Sequence, residues 1–285
     1  MDPRTWCVTD VLELLLECGR IGLRHFERNE WWLKADQTLA THADVEIERL
    51  IAQECNRPEQ GSWMLGEETA GEQGEAYLAE MLKGRAWLVD PIDGTAPFTH
   101  GLAYWGTSIG LMQNGRLTEG AVILPKQGEI FISNGPNVYY AESVDVFAKA
   151  DPADLCLLSP HPHPLSDGGM VALSQRIAKQ GRFTGKNPVQ VTGCAVSSLL
   201  YLMLGRYLAY VAHVKLWDIA GALPLLLKTG FEGVHFDGRL LTDRVDSTSY
   251  VLDPNAPADL RWQVRDGAVF APAGVAAQFL SSVSL

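Results

Sequence analysis

The residues best suited to chemistry are carboxylates in three separated stretches. The sharpest is Trp87-Leu88-Val89-Asp90-Pro91-Ile92-Asp93-Gly94-Thr95, an apolar, strand-like run that delivers two aspartates, three positions apart, into a Gly-Thr turn. Asp90 and Asp93 are hard oxygen ligands of the kind Mg²⁺ or Mn²⁺ prefers. A helix starting at the turn would present backbone N–H groups to an anion. Cation ligands beside an anion cradle suggest a phosphate held against metal. Gly66-Glu67-Glu68-Thr69 upstream and Leu216-Trp217-Asp218-Ile219-Ala220-Gly221 downstream contribute further acids. Separate segments are needed because one short loop cannot surround several cations. Plainer readings exist for two of these stretches. Asp-Pro-x-Asp-Gly is a common turn composition, and Trp217-Asp218 suits a helix start.

Together and in this order, the three stretches resemble the inositol monophosphatase family, within the lithium-sensitive, metal-dependent sugar phosphatase superfamily. Its signatures are Gly-Glu-Glu, Asp-Pro-Ile-Asp-Gly-Thr, and Trp-Asp followed by small residues. The resemblance implies a layered α/β/α/β/α sandwich. Residues 1–145 would form an N-terminal α+β subdomain with an antiparallel sheet and most metal ligands; residues 146–285 would form an α/β subdomain supplying Asp218 and the substrate wall. It further implies about two to three Mg²⁺ ions per site, with Mn²⁺ as a substitute. Glu67, Asp90 and the Ile92 carbonyl oxygen would hold one ion, and Asp90 would bridge to another bound by Asp93 and Asp218. Gly94 and Thr95 would offer N–H groups to the phosphate. Metal-activated water, oriented by Thr95 with Asp44 and assisted by Glu67 or Glu68, would attack in line without a covalent intermediate.

The implied activity is hydrolysis of a small phosphomonoester such as an inositol, sugar, polyol or histidinol phosphate. A nucleoside 3′,5′-bisphosphate phosphatase is the alternative within the class. A non-catalytic regulatory protein on the same scaffold is the alternative outside it. Relatives are commonly homodimers. Three departures bear on substrate. Pro97 stands where the family usually has Asn, and proline is tolerated in a first helical turn. Val211 replaces the acid with which inositol-selective members grip hydroxyls, which argues against strict inositol selectivity. The substrate-contacting turn reads Gly193-Cys194-Ala195-Val196, with Cys194 and Val196 more apolar than the family pattern. Lys215 is placed either to meet a second anionic group or to snorkel at the surface.

The elements that must position these residues follow from periodicity. Val8, Leu12, Leu15, Leu16 and Leu23 predict a helix over 5–28. Glu30 to Leu39, which carries Lys34 and Asp36, reads as irregular. Thr41 as N-cap with Asp44 three residues on predicts a capping box opening a second helix. Asp44 is therefore either a capping carboxylate or, by the resemblance, a water-orienting one, and one residue can do both. A strand at 63–65, a helix at 75–82 and the strand ending at Asp90 follow. Strands at 104–112, 117–124, 129–132 and 137–141 predict an antiparallel meander, with Asn114-Gly115 as a hairpin turn. After a linker over 145–155 the chain alternates: strand 155–158, helix 169–180, strand 189–192, helix 195–204, strand 207–212, helix 218–229, strand 233–236. That alternation indicates an α/β layer.

A chain of 285 residues with 47% hydrophobic and 20% charged residues can bury a substantial core. The net charge of −11 argues against a general nucleic-acid surface, which needs clustered Lys and Arg. It permits an anionic substrate, because bound cations reverse the local sign. Five scattered cysteines fit neither a disulfide framework nor a zinc site and point to a reducing, cytoplasmic setting. No apolar run reaches the length of a membrane span. His161-Pro162-His163-Pro164 reads as an extended loop better placed for substrate than for a hard cation.

Overall fold

The structure, a computed structural model, describes residues 1–28, 30–34, 38–148 and 151–284. In chain order the helices are α1 (Val8–Phe26), α2 (His42–Cys55), α3 (Glu75–Lys83), α4 (Thr95–Thr99), α5 (Gln175–Gln180), α6 (Ala195–Met203), α7 (Leu216–Ala220) and α8 (Leu223–Lys228). The strands of the first half are β1 (Trp31–Leu33), β2 (Leu39–Thr41), β3 (Ser62–Gly66), β4 (Arg85–Asp93), β5 (Gly106–Gln113), β6 (Arg116–Leu124), β7 (Glu129–Asn134), β8 (Asn137–Ala141) and β9 (Cys156–Leu157). Those that follow are β10 (Val171–Leu173), β11 (Arg182–Phe183), β12 (Val189–Gln190), β13 (Ala209–Ala212), β14 (Phe231–His235), β15 (Leu240–Leu241), β16 (Ala268–Pro272) and β17 (Val283–Ser284).

Two large sheets organise the chain. One runs in the order β3-β4-β5-β6-β7-β8-β9 and is antiparallel except for the parallel β3–β4 pair. The other runs β12-β10-β13-β16-β14-β15, parallel as far as β13 and antiparallel beyond it. Helices α1 and α2 cover the outer face of the first sheet, through β3 to β7. Between the sheets lie α6, α7 and α8: α7 packs on β4 and β5, α8 on both β6 and β14, and α6 on β5, β13 and β16. The outer face of the second sheet carries α5 and the 3₁₀ stretch Ala276–Ser282. This is the expected α/β/α/β/α layering. Core clusters fall between the layers, one under α1 and α2, one around α6 to α8, and one beneath α5.

Four local expectations change. The segment over 30–39 forms a hairpin, β1 pairing antiparallel with β2 and closed by Lys34 N donating to Thr38 O at 2.8 Å; Asp36 lies outside the described residues. The helix expected over 169–180 is the buried strand β10 followed by α5, with Ser174 Oγ accepting from Ile177 N as the cap. A strand covered on both faces is apolar throughout, so its pattern mimics a buried helix. The single helix expected over 218–229 is α7 and α8, interrupted where Gly221 N turns to donate to Ser108 Oγ at 3.2 Å. The strand near 155 pairs with β8 and so extends the first sheet rather than opening the second.

Candidate functional site

β4 carries the first two aspartates, and its irregularity decides where they point. From Asp90 to Asp93 the strand advances three residues while β5 advances two, from Ser108 to Gly106, with a shift in register between them. In a regular strand residues three apart face opposite sides. The inserted residue is a β-bulge, which brings both carboxylates to the same side. Gly94 then adopts φ +90°, a left-handed conformation that L residues rarely adopt, and α4 begins at Thr95. Thr95 Oγ1 donates back to the Ile92 carbonyl at 3.0 Å.

Asp93 ties the two sheets together. Its Oδ2 accepts from Val196 N at 2.5 Å and from Cys194 Sγ at 3.2 Å, so it caps α6, the helix that begins at the predicted Gly193-Cys194-Ala195 turn. A carboxylate satisfies N–H groups that a helix start leaves unpaired. Asp218, the third residue of α7, accepts from Lys215 N at 2.7 Å. The hydrogen bond from Gly221 to Ser108 fixes α7 on β5, and Ser108 is the residue paired with Asp90. Thus the distant Trp-Asp stretch comes to rest against the Asp-Pro-Ile-Asp strand.

Glu67 and Glu68 follow β3, and Glu67 N donates to Val89 O at 3.1 Å beside Asp90. Asp44 forms the predicted capping box: Thr41 N and Thr41 Oγ1 donate to its Oδ2 at 2.7 and 2.6 Å. Among the described residues its Oδ1 is buried without a partner, as is Oδ1 of Asp90.

Electrostatics show that these acids crowd one another. Burial, then the charges of Glu67, Asp93, Asp218 and Asp44, raise Asp90 well above the carboxylate range. Asp218 is raised well above that range by burial, then by Asp93 and Glu67. Burial lifts Asp93 to about 6, against the hydrogen bonds from α6 that lower it. Asp44 rises to about 8, by burial first and then by Glu68 and Glu67. Burial likewise takes Glu68 to about 7, with Lys34 opposing the rise.

Two participants were not assigned a role from sequence. Lys34, at the turn end of the β1–β2 hairpin, places Nζ 2.5 Å from Glu68 Oε1 and 3.5 Å from Glu67 Oε1. Burial opposes its charge, but the two glutamates outweigh that and raise its pKa. Glu48, buried on α2, accepts from Glu68 N at 2.8 Å, Thr69 N at 3.0 Å and Thr69 Oγ1 at 2.6 Å. It lies one helical turn after Asp44, on the same face. That spacing was the available signal.

Cavities open on both sides of the acids. One of about 270 Å³ is lined by Lys34, Glu67, Glu68, Lys215, Trp217 and Arg261. Here the Lys215 ammonium stands 5.2 Å from the centre of the Trp217 ring. The other, about 260 Å³, is lined by Asp93, Gly193, Cys194, Ala195 and Asp218, together with Arg176 and His213. Val211 does not line it: that side chain is fully buried in the cluster beneath α5 with Val171 and Leu173, while Tyr210 before it and His213 beyond it reach the cavity. Alternation along β13 separates Tyr210 from Val211, and His213 lies past the strand's end at Ala212, where that alternation no longer holds. His161 and His163 line neither cavity.

As the side chains stand, no three His, Cys, Asp or Glu among the described residues form a closed metal-holding group. The donor set nevertheless suits a hard cation. Buried carboxylates with orphaned oxygens raise one another's pKa, as expected where positive charge is needed between them.

The model of the inositol monophosphatase family matches residues 12–264. The chain belongs to that family. Its enzymes are phosphoric monoester hydrolases acting on small phosphorylated metabolites. Among relatives, the chain is 27% identical over 225 residues to the Nus factor SuhB of Xylella fastidiosa, covering 77% of this chain and 78% of that protein. It is 25% identical over 233 residues to a fructose-1,6-bisphosphatase/inositol-1-monophosphatase of Thermotoga maritima, covering 80% and 84%. A histidinol-phosphatase of Mycobacterium tuberculosis is 37% identical over 92 residues, covering 32% and 33%. The fold matches solved inositol monophosphatase-type structures: the suhB protein of Bartonella henselae at TM-score 0.67 and 15% identity, covering 95% of this chain and 96% of that one, and a Thermotoga maritima IMPase at TM-score 0.63 and 19% identity, covering 95% and 94%. No helix among the described residues is long and apolar enough to cross a membrane.

Proposed function

We propose that this chain is a Mg²⁺-dependent phosphatase of a small phosphomonoester. The observation that carries the reading is the meeting of Asp90, Asp93, Asp218 and Glu67, drawn from three chain segments, close enough that their charges raise the pKa of the three aspartates. Glu67, Asp90 and the Ile92 carbonyl would hold one ion, and Asp90, Asp93 and Asp218 another. When bound, such ions supply charge neutralisation and Lewis acidity at the phosphoryl oxygens.

The remaining work belongs to the protein. Gly94 and Thr95 present backbone N–H groups at the start of α4 to phosphate oxygens. Asp44 Oδ1, which has no partner among the described residues, accepts a hydrogen bond from the attacking water, and the Thr95 hydroxyl helps fix that water's direction. Glu68, lifted to about 7, is suited to take up a proton near neutrality. Lys34 holds Glu68 and lines the cavity on the Glu67–Glu68 side. Cys194, Ala195 and Gly193 form the substrate wall.

The test is phosphate release from a panel of inositol, sugar, polyol, histidinol and nucleoside bisphosphate esters, with Mg²⁺ and with excess chelator. Release that survives chelation would sink the metal assignment. A regulatory binding role alone would not require this acidic cluster, and absence of release from every ester would favour it. The homodimer common in the family is part of the proposal, checked by light scattering on the eluted protein.

A further inference from the structure

The cavity on the Asp93–Asp218 side holds two groups that the phosphatase reading leaves unused. Arg176, in α5, donates from Nη1 to Gln263 Oε1 at 3.2 Å, while its Nε is buried without a partner among the described residues. No carboxylate lies within ion-pair distance of it among the described residues. Beside it His213 has a buried, unpartnered Nδ1, and its backbone N donates to Ser174 Oγ at 3.1 Å, which locks the β13 end against the cap of α5. Both line the same cavity of about 260 Å³ that Asp93 and Asp218 also line.

We propose that this cavity takes a phosphomonoester carrying a second anionic group, a carboxylate or another phosphate, which docks on Arg176 beside His213. The inference rests on the phosphatase reading and names its substrate class. The phosphate end would sit at the acids; the far end then meets a fixed cation with one edge of its guanidinium free. That edge, Nε with Nη2, is the one that grips carboxylate and phosphate in a bidentate fashion. A polyol pocket would instead offer acceptors to hydroxyls, and the position that supplies one in inositol-selective relatives is Val211, buried away from the cavity. Arg176 Nε and His213 Nδ1 have no hydrogen-bond partner among the described residues, so a ligand that supplies one is favoured over a neutral tail.

Two matched pairs test this in the Mg²⁺-loaded full chain: 3-phosphoglycerate against glycerol 3-phosphate for the carboxylate, and fructose 1,6-bisphosphate against fructose 6-phosphate for the second phosphate. The expected result is a kcat/KM ratio of about 10-fold or more in favour of the doubly anionic member in at least one pair. The ratio falls toward 1 in Arg176→Gln and is partly kept in Arg176→Lys, with melting curves confirming that both variants fold. Release at equal rates within both pairs overturns this inference alone, as does a ratio that survives in Arg176→Gln. No release from any of the four, with release from another ester of the wider panel, overturns this inference alone; no release from any ester of that panel overturns the phosphatase reading, and this inference with it.

Discussion

The Glu48 carboxylate occupies the space that a side chain at Gly66 would need: a Cβ there would overlap its Cδ and both its oxygens. The acid can therefore reach past the end of β3 and hold the Glu68 and Thr69 backbone, which fixes where Glu67 and Glu68 stand. Gly66→Ala is expected to displace that loop. Glu48→Gln keeps the shape but weakens its grip, at a cost of about 1–3 kcal/mol. Phosphate release should fall roughly 10-fold or more, because small misplacement of a catalytic group is expensive. Urea titration and initial rates measure the two effects; wild-type rates in Glu48→Gln would remove its positioning role.

Asp90→Asn tests whether the buried acids are kept for function at the expense of stability. Asp90 is 1% exposed and surrounded by like charge. In chelator the variant is expected to melt higher than wild type, each kcal/mol of relief appearing as about 2–4 °C. With Mg²⁺ the order reverses and phosphate release falls by a factor on the order of 10². Calorimetric melting with and without Mg²⁺ decides it.

The metal-free protein should lose stability as pH rises. Asp44 at about 8, Glu68 at about 7 and Asp93 at about 6 are all raised above their unfolded values. The folded state therefore binds more protons than the unfolded one between about pH 4 and 8, and stability declines across that window. The expected outcome is a lower Tm at pH 8.5 than at pH 5.5 in chelator, with Mg²⁺ stabilising more at the higher pH. A Tm that rises with pH in chelator would contradict the arrangement.

Lys34 competes with any cation for Glu67 and Glu68. Lys34→Gln should bind Mn²⁺ roughly 2- to 5-fold more tightly, the scale of one partly exposed ion pair. Spectroscopic titration of Mn²⁺ into substrate-free protein reads this directly. Equal affinities would mean the Lys34–Glu68 contact does not persist in solution.

Much of the architecture was legible along the chain. Thr41 and Asp44 announced their capping box because both partners lie within one turn. Asn114-Gly115 marked the β5–β6 hairpin for the same reason, since turn chemistry is local. Where the reading failed, the deciding partner was distant. β10 was taken as helix because its apolar run reports burial and not period. β16 went unnoticed, although it joins β13 to β14 in the middle of the second sheet.

The sequence by itself determined the chemistry: which carboxylates exist, that the family is that of inositol monophosphatase, and that the layers are α/β/α/β/α. The carboxylates follow from residue type, and the family and its layering from the resemblance that three short motifs carry. Only the tertiary structure decided that a bulge turns Asp90 and Asp93 to one side, that Glu48 and Lys34 hold the Glu67-Glu68 loop, and that Arg176 and His213, rather than Val211, face the cavity. Each of these depends on which face of one element meets which face of another, and that is set by packing between segments up to about a hundred residues apart.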